Sequence, residues 1–275
     1  MKYSIALRFF FSLMPVLILC SFTDDASFTE EELELIGKVT FITTTSPIPS
    51  NPSTEMLEET QKTWLRVPAL RKCKKIIVFD GVAPPQRYRS LAYAVFIKNC
   101  QKLIEENPHF AHTKLVINQK YKYIANSLRE AIKQVDTPYV LVHQHDFCLN
   151  KPFDFFNLVR SMDRNAHLKM IRFNKFSNLP NHWDGQIDDH IEGGALVPLM
   201  RTFGWSDNDH FARTDYYTGF VLPRVTWDGA MEWFLHDVED IKANHKNYGC
   251  YLYGHYNEGP YLYHIDGKYY QNRKD

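Results

Sequence analysis

The sequence lacks an excess of charge of either sign. Its 32 lysine and arginine residues are balanced by 32 aspartate and glutamate residues over 275 positions. Proteins that bind nucleic acid gain much of their affinity from a basic surface that neutralises phosphates, and adhesion to an anionic membrane needs the same kind of surface. The balance of charge therefore favours neither interaction, and we predict no nucleic-acid partner.

Cysteine is scarce, and no two cysteines form a Cys-x-x-Cys pair. The five cysteines lie far apart, at positions 20, 73, 100, 148 and 250. Zinc fingers need closely spaced ligand pairs, and small disulfide-stapled domains need a higher density of cysteine. The sequence points to neither class. A disordered chain is excluded as well, because 44% of the residues are hydrophobic and 15% are aromatic, which is enough to build a core.

The apolar run near the N-terminus is short for a transmembrane helix. It extends from Phe9 to Phe22 behind a basic flank that includes Arg8, whereas a spanning helix needs about 20 apolar residues. We therefore predict a signal peptide within residues 1–28, and a short type II membrane anchor is the second interpretation. Either one places the protein in the secretory pathway or at a membrane. A buried N-terminal helix of a cytoplasmic protein is the third interpretation, and residues 29–37 are predicted to be a connector.

Short β-branched runs alternate with segments of helical period along the next part of the chain. Strands are predicted at residues 38–45, 74–81, 113–117 and 138–146, separated by helical patterns at 53–68, 87–106 and 121–134. Repeated strand-helix-strand order is typical of a parallel sheet. We predict one α/β domain over residues 38–275, with a mostly parallel central sheet and helices on both faces. Its later part is less regular, with a helix at 153–160 and strands at 168–173 and 259–267.

Polar side chains gather where the four predicted strands end. These ends carry Thr43, Thr44, Thr45 and Pro47, then Asp80, then residues 118–120, and finally residues 143–146. Ligands of parallel sheets bind outside the carboxyl ends of the strands. Hydroxyls, carboxylates, a lysine and two imidazoles therefore meet at one edge, where they suit a nucleotide with ribose hydroxyls and a pyrophosphate.

The run from Lys38 to Asp146 resembles a glycosyltransferase of the GT-A fold and is similar to glycosyltransferase family 2. The resemblance implies a nucleotide-binding half over residues 38–150 and an acceptor half over residues 151–275. The nucleotide-sugar-binding residues that it implies are Thr43, Thr44, Thr45, Pro47, Asp80, Asn126, Gln144 and His145.

The metal-binding Asp-x-Asp motif of that family is matched here by Gln144-His145-Asp146. Gln144 can still bind a ribose hydroxyl, but only Asp146 remains as an anionic ligand for Mn²⁺ or Mg²⁺. Some GT-A enzymes take a last ligand from a C-terminal histidine or aspartate, and on that analogy His264 is the second predicted metal ligand.

For the acceptor side, the resemblance points to residues 204–211. Asp207 and Asp209 are rival candidates for the catalytic base, Trp205 for a flat surface under a sugar ring, and His210 for a further polar contact. The implied reaction moves a hexose from a nucleotide-diphosphate sugar to a hydroxyl of a carbohydrate, lipid or protein, with a divalent cation assisting the leaving diphosphate. Inversion at the sugar carbon rests on analogy alone.

Other interpretations remain open for the same residues. His143, His145 and Asp146 have a spacing that suggests a zinc-dependent hydrolase, and the loss of one acidic residue suggests an inactive, transferase-like carbohydrate-binding protein. In a strand, His143 and His145 face away from Gln144 and Asp146, so at least one pair is structural. Asp207 and Asp209 could equally cap a helix, and Trp205 could be a core residue.

Overall fold

The computed structural model describes residues 27–185 and 194–265. The predicted signal peptide or anchor lies almost entirely outside these residues. Within the described ranges, none of the helices has the length and apolar character needed to cross a bilayer. The secretory or membrane location therefore stays a prediction.

The described residues form ten strands and eleven α-helices. The strands are β1 (Val39–Thr45), β2 (Lys74–Phe79), β3 (Thr113–Ile117), β4 (Tyr139–Gln144), β5 (Phe147–Leu149), β6 (Met170–Arg172), β7 (Leu199–Arg201), β8 (His210–Arg213), β9 (Cys250–Tyr253) and β10 (Leu262–His264). The helices are α1 (Glu30–Gly37), α2 (Glu55–Trp64), α3 (Pro68–Lys72), α4 (Ser90–Glu106), α5 (Tyr123–Ile132), α6 (Phe155–Arg164), α7 (Thr214–Tyr216), α8 (Leu222–Arg224), α9 (Glu232–Leu235), α10 (Val238–Ala243) and α11 (His245–Tyr248). Short 3₁₀ turns cover Pro84–Arg89 and Pro108–Phe110, and a π-helical turn covers Tyr217–Val221.

Eight of the described strands form one sheet in the order β3-β2-β1-β4-β8-β6-β9-β7. Strands β1 to β4 are parallel, as predicted. Strand β8 is antiparallel to both β4 and β6, and β9 runs parallel to β6, so β6 and β9 share the direction of β4. Only β7 and β8 run the other way. The mostly parallel α/β sheet is confirmed.

Helices cover both faces of this sheet because successive side chains of a buried strand point to opposite faces. Phe41 packs into a cluster with α1, α2, α3 and α6, whereas its neighbour Ile42 packs on the other face with α5 and the helices from α7 onward. Helix α4 packs beside Phe79 in a third cluster. The continuous apolar runs seen in the sequence are thus buried on both sides.

Residues 29–37, predicted as a connector, contain helix α1. The Thr29 side chain accepts from the backbone of Glu32, and the Glu32 side chain accepts in return from the Thr29 backbone, which is a capping box. Leu35 and Ile36 are buried in the core. The acidic composition suggested a solvated linker, but the Thr-x-x-Glu spacing was the signal of a helix start.

Strand β2 carries a buried lysine at position 75, which is 3% exposed. Its ammonium donates hydrogen bonds to the carbonyl oxygens of Arg71 at 2.8 Å and Ala111 at 3.1 Å. Burial lowers the pKa of Lys75 from its ordinary value of 10.5 to about 8. The folded protein therefore releases this proton at a lower pH than the unfolded chain does.

We expect the free energy of unfolding to gain a contribution from Lys75 as the pH rises from 8 to 10.5. In this window the unfolded chain binds more protons than the folded chain, and the gain reaches at most about 3 kcal/mol. Urea denaturation of the wild type and of Lys75→Met at several pH values measures it. The difference between the two proteins should change with pH in favour of the wild type, and a constant difference would contradict the assignment. Using the difference cancels the opposing titration of buried thiols on which Lys75 does not act, such as Cys100, whose pKa burial raises to about 12.

Candidate active site

The polar strand ends predicted from the sequence lie together at one edge of the sheet. Strands β1 and β4 end in register, with Thr44 opposite Gln144, and β2 and β3 end beside them. Asp80 and Asp146 follow the ends of β2 and β4 within two residues. The predicted site residues that precede and follow these ends are therefore neighbours on one edge rather than scattered over the molecule.

The threonines at the end of β1 form the buried floor of this edge. The Thr44 hydroxyl donates to the carbonyl oxygen of His143 at 3.3 Å, and the Thr45 hydroxyl donates to that of Val78 at 3.2 Å. Thr43 and Pro47 are buried beside them. The hydroxyls of Thr44 and Thr45 hold neighbouring strand ends together, and contact between residues 43–47 and a nucleobase stays a prediction.

Asp80 holds the loop that follows β3. Its Oδ1 accepts hydrogen bonds from the backbone nitrogens of Gly81 and Lys122, both at 2.8 Å. Burial raises the pKa of Asp80, against the effect of these hydrogen bonds. Gly81 has no room for a side chain, because a Cβ there would lie 2.1 Å from the Lys120 carbonyl carbon. Asp80 and Gly81 thus hold the loop that follows β3 close to the carboxyl ends of the parallel strands.

Asn126 connects α5 to the second half of the chain. Its Nδ2 donates to Asp228 Oδ1 at 2.7 Å, and its Oδ1 accepts from Arg129 Nε at 3.2 Å. Both ends of the amide are therefore engaged within the protein. A direct contact with the donor, which the resemblance implies for Asn126, stays a prediction.

Gln144 also joins the two halves. Its side-chain Nε2 donates to the carbonyl oxygen of Asp207 at 2.9 Å, and its backbone nitrogen donates to Asp209 Oδ1 at 2.8 Å. The residue that replaces the first acid of the Asp-x-Asp motif thus anchors the predicted acceptor segment against the end of β4.

Asp209 lies in the core and is paired with His143. Its Oδ2 accepts from His143 Nδ1 at 2.7 Å, and both side chains are 0% exposed. Burial raises the pKa of Asp209 to about 6, although the nearby His143 opposes this rise. The burial and the pairing with His143 favour a structural role for Asp209, and its role as the catalytic base stays a prediction.

The same pairing contradicts the zinc-hydrolase interpretation. The His143 ring packs between Phe41 and Trp64, at 5.5 and 5.4 Å between ring centroids. His145 turns to β1 instead, where its Nδ1 donates to the Thr44 carbonyl oxygen at 3.0 Å. Across the described ranges, no group of three or more histidine, cysteine, aspartate or glutamate side chains could hold a metal ion.

The two predicted metal ligands lie side by side. His264 Nε2 is 3.0 Å from Asp146 Oδ2, although the residues are 118 positions apart. Antiparallel pairing of β5 with β10 sets His264 opposite Phe147. Burial raises the pKa of Asp146, but the hydrogen bond from His264 and the nearby imidazoles outweigh burial, so that the pKa is lowered overall. Asp146 is thus an anionic ligand at neutral pH.

The pair offers a donor set that suits a small divalent cation. Asp146 Oδ1 is buried and has no hydrogen-bond partner, which leaves one carboxylate oxygen uncompensated beside an imidazole. Carboxylate oxygen and imidazole nitrogen are ligands that Mn²⁺ accepts, and phosphate oxygens or water complete such sites. The residues present therefore fit the predicted metal, with two protein ligands.

An acceptor-sized cavity of about 1020 Å³ opens on the same edge. It lies beyond the end of β6 and beside the segment that leads into β8, and we call it the acceptor cavity. Trp183 and Trp233 line it and are 62% and 64% exposed. A buried ion pair between Arg172 and Asp184 supports its wall. Exposed aromatic surface in a concave site is typical of a binding groove.

Glu232 lines the acceptor cavity, as does Asp184, which is held in its ion pair with Arg172. Glu232 Oε1 accepts from the Asp207 backbone nitrogen at 2.9 Å and from Ser206 Oγ at 3.2 Å. Burial, and then the neighbouring Glu232, raise the pKa of Asp207 well above its usual range. Burial also acts on Glu232, but the hydrogen bonds from Asp207 and Ser206 outweigh it and lower the pKa of Glu232. Asp207 is thus the carboxyl of the pair that favours the protonated form and Glu232 the one that favours the ionised form, so Glu232 is a further candidate for the base beside the predicted Asp207.

The two predicted acceptor-binding residues are buried. Trp205 is 0% exposed, and its Nε1 donates to the Tyr216 hydroxyl at 3.2 Å. Both ring nitrogens of His210 are engaged, with the Asn208 carbonyl and the Tyr217 hydroxyl, and burial lowers the pKa of His210 to about 4. Neither side chain is exposed to solvent, although Trp205 borders the acceptor cavity, and a contact of either residue with an acceptor stays a prediction.

Sequence reasoning missed Glu232, Trp183 and Trp233. Glu232 lies 25 residues after Asp207, in a segment with no motif that marks it. Trp183 follows a polar segment of the sequence. A tryptophan in such a segment is the one signal of a binding role that the sequence offered.

No protein-family model and no curated protein matches this sequence. Solved structures with a similar arrangement include a mannosyltransferase, PcManGT from Pyrobaculum calidifontis, in complex with GDP-Man and Mn²⁺, at 15% identity and a TM-score of 0.37 over 50% of this chain. They also include residues 1–349 of TarS from S. aureus in complex with UDP-GlcNAc, at 12% identity and a TM-score of 0.47 over 82% of this chain. A nucleotidyl transferase from Methanothermobacter thermautotroptrophicus matches at 14% identity and a TM-score of 0.45, over 86% of this chain and 96% of that protein.

This chain spans only 35% of the mannosyltransferase and 58% of the TarS fragment. At these identities and TM-scores the similarity supports no conclusion about the activity of this chain.

Proposed function

We propose that this protein is a glycosyltransferase that moves a hexose from a nucleotide-diphosphate sugar to a hydroxyl acceptor, with inversion at the anomeric carbon. The observation that carries the proposal is a continuous path along one edge of the sheet. It leads from the Asp146–His264 pair to Gln144, and from there through hydrogen bonds to Asp207 and on to Glu232, which lines the acceptor cavity. A pair of residues that can hold a cation and a carboxylate at the same edge of the sheet suit the two tasks of sugar transfer. The cation stabilises the leaving diphosphate, and the carboxylate accepts the proton of the acceptor hydroxyl.

On the donor side, Asp146 and His264 would hold Mn²⁺ or Mg²⁺, and the uncompensated Oδ1 of Asp146 supports this assignment. When bound, such a cation supplies positive charge that stabilises the departing diphosphate. The polar strand ends around Thr44 and Asp80 would bind the nucleotide.

In the reaction, the bond between the anomeric carbon and the diphosphate oxygen breaks, and its electron pair leaves with the diphosphate. The acceptor hydroxyl oxygen forms the new bond at the opposite face of that carbon, and its proton passes to the Glu232 carboxylate. A general base in this role contributes typically about 10²–10⁴-fold to the rate. The lowered pKa favours the ionised form of Glu232 at neutral pH but also makes it a weaker base, so its assignment rests on its place in the acceptor cavity.

The acceptor cavity favours a carbohydrate among the acceptors that the sequence left open. The indole faces of Trp183 and Trp233 are more than half exposed, and flat aromatic surfaces with a polar edge suit the apolar faces and hydroxyls of sugar rings. Ser177 and Asn208 line the same cavity, and side chains of these types can hydrogen-bond the hydroxyls of a sugar.

Thermal shift against UDP, GDP, CMP and dTDP, each with and without Mn²⁺, tests the donor site. We expect one of these nucleotides to raise the melting temperature of the wild type, and Mn²⁺ to increase the rise, because ligands that bind only the folded state stabilise it. Asp146→Ala should lose the increase due to Mn²⁺. The matched control, Asp215→Ala, removes an exposed carboxylate on α7 and should behave as the wild type.

Absence of a shift with every nucleotide would overturn the proposed function. A shift that Asp146→Ala retains in full would overturn the metal site but leave nucleotide binding intact. Nucleotide binding with no turnover of any donor sugar across a panel would instead identify an inactive, carbohydrate-binding relative.

A further inference from the structure

We propose that a second cavity, on the opposite edge of the sheet, binds a small phosphorylated molecule. This basic cavity has a volume of about 780 Å³ and is lined by His167, Arg201, Lys242, His245 and Lys246 among other residues. It is separate from the acceptor cavity and shares no lining residue with it. The inference does not depend on the proposed transferase activity.

The sheet topology places the basic cavity far from the candidate active site. Arg201 ends β7 and pairs with Tyr251 near the start of β9. Since β9 runs in the direction of β4 and β7 runs against it, this end of the sheet is the amino edge of the parallel strands. The candidate active site lies at the carboxyl edge, beyond the ends of β1 to β4. A ligand in the basic cavity therefore has no access to Asp146 or Glu232.

The lining of the basic cavity carries an excess of positive charge. Among the described residues that line it, none is aspartate or glutamate. Lys242 pairs at 2.8 Å with Glu239, which lies outside the lining and is 82% exposed. Burial lowers the pKa of His245, and the nearby charges of Arg201 and His167 lower it further against a hydrogen bond to the Cys250 carbonyl, so that His245 favours its neutral form. The charges of Arg201 and Lys246 remain, and an anion bound in the cavity would balance them.

Arg201 is the residue that points most directly to a ligand. Its Nε is buried and has no hydrogen-bond partner, and no side chain in the described ranges forms an ion pair with its guanidinium. A buried donor without a partner is costly and rare in a folded protein. A guanidinium fork matches the oxygens of phosphate through two parallel hydrogen bonds. A phosphate group at Arg201, with the ammonium of Lys246 nearby, would satisfy this donor and balance the two charges.

The size of the basic cavity indicates a phosphorylated organic molecule rather than an inorganic ion alone. Ligand pockets for small molecules are typically about 300–1,000 Å³, and a lone phosphate would fill only a small part of 780 Å³. Asn244 and Asn247 also line the cavity and can hydrogen-bond the remainder of such a ligand.

Isothermal titration calorimetry of the purified protein with inorganic pyrophosphate tests the basic cavity. The titration is carried out without divalent cations, so that the Asp146–His264 site contributes little. We expect binding to the wild type and a loss of roughly tenfold or more in affinity for Arg201→Gln, since charge-assisted hydrogen bonds are lost. Lys246→Gln should weaken binding less, and its matched control Lys98→Gln, which removes an exposed charge from α4, should leave binding unchanged.

Absence of binding to the wild type at millimolar pyrophosphate would overturn the inference, and so would equal affinity of Arg201→Gln and the wild type. Arg201→Lys keeps the positive charge but lacks the guanidinium that donates two parallel hydrogen bonds, so it should bind pyrophosphate more weakly than the wild type. This variant tests the role of Arg201 if Arg201→Gln does not fold. Sedimentation with phosphatidic acid vesicles separates a soluble ligand from a lipid headgroup. Arg201-dependent binding to vesicles but not to pyrophosphate would overturn the assignment of a soluble ligand.

Discussion

Glu232→Gln is expected to lower the turnover number by about 10²–10⁴-fold, the usual contribution of a general base. The amide keeps the shape of the side chain and can still accept from Ser206 and from the Asp207 backbone. It cannot take the proton of the acceptor hydroxyl. The thermal shift by nucleotide and Mn²⁺ should be unchanged, because Glu232 lies on the acceptor side. Transfer of the sugar from the donor identified by thermal shift measures the effect.

Two controls separate the base from its neighbours. Asp207→Asn should keep most of the turnover, because the amide can still donate to Glu232 as the protonated Asp207 carboxyl does. Glu105→Gln removes an exposed carboxylate from α4 and should have no effect. Full loss of turnover in Asp207→Asn with normal turnover in Glu232→Gln would identify Asp207 as the base and contradict the assignment of Glu232.

Asp209→Ala is expected to reduce the free energy of unfolding by about 3–5 kcal/mol, which is typical when one partner of a buried charged pair is removed. The substitution leaves His143 Nδ1 and the Gln144 backbone nitrogen without their acceptors in a site that is 0% exposed. Urea denaturation followed by circular dichroism measures the loss. Removal of the exposed Asp215 by alanine serves as the control for loss of a carboxylate.

The result also separates a structural role from a catalytic one. If Asp209→Ala unfolds at the same urea concentration as the wild type and has no turnover, Asp209 acts in catalysis and the interpretation of its buried pairing is wrong. If stability falls as expected, any loss of turnover follows from the loosened end of β4, where Gln144 contacts the Asp207 segment.

Local patterns in the sequence were sufficient to predict the strands and helices from β1 to β4. The apolar runs of β1, β2, β3 and β4 are continuous because both faces of a central parallel strand are buried, and each run stops at polar residues. Since parallel strands bring their carboxyl ends to one edge, the neighbourhood of Thr44, Asp80 and Asp146 follows from order and direction alone. The predicted connector at residues 29–37 was the main error in secondary structure. Its acidic composition is typical of a linker, but the capping box at Thr29 marks the start of helix α1.

The acceptor half was harder to predict because its elements are short and its partners are distant in sequence. Strands β6, β7 and β10 have three residues each, too few to show a period. The contact between Asp207 and Glu232 depends on how α9 packs against the segment before β8. Nothing in the spacing of aspartates near Trp205 indicates which carboxylate is buried and which faces a cavity.

The sequence by itself determined the class of fold, the edge on which the polar residues meet, and the pair of residues predicted to hold a metal. Tertiary structure decided the surroundings of each carboxylate. It placed Asp209 against His143 in the core, raised the pKa of Asp207, and lowered that of Glu232, which lines the acceptor cavity. The physical reason is that strand order follows from local periodicity, whereas protonation depends on burial and on hydrogen bonds between residues far apart in the chain.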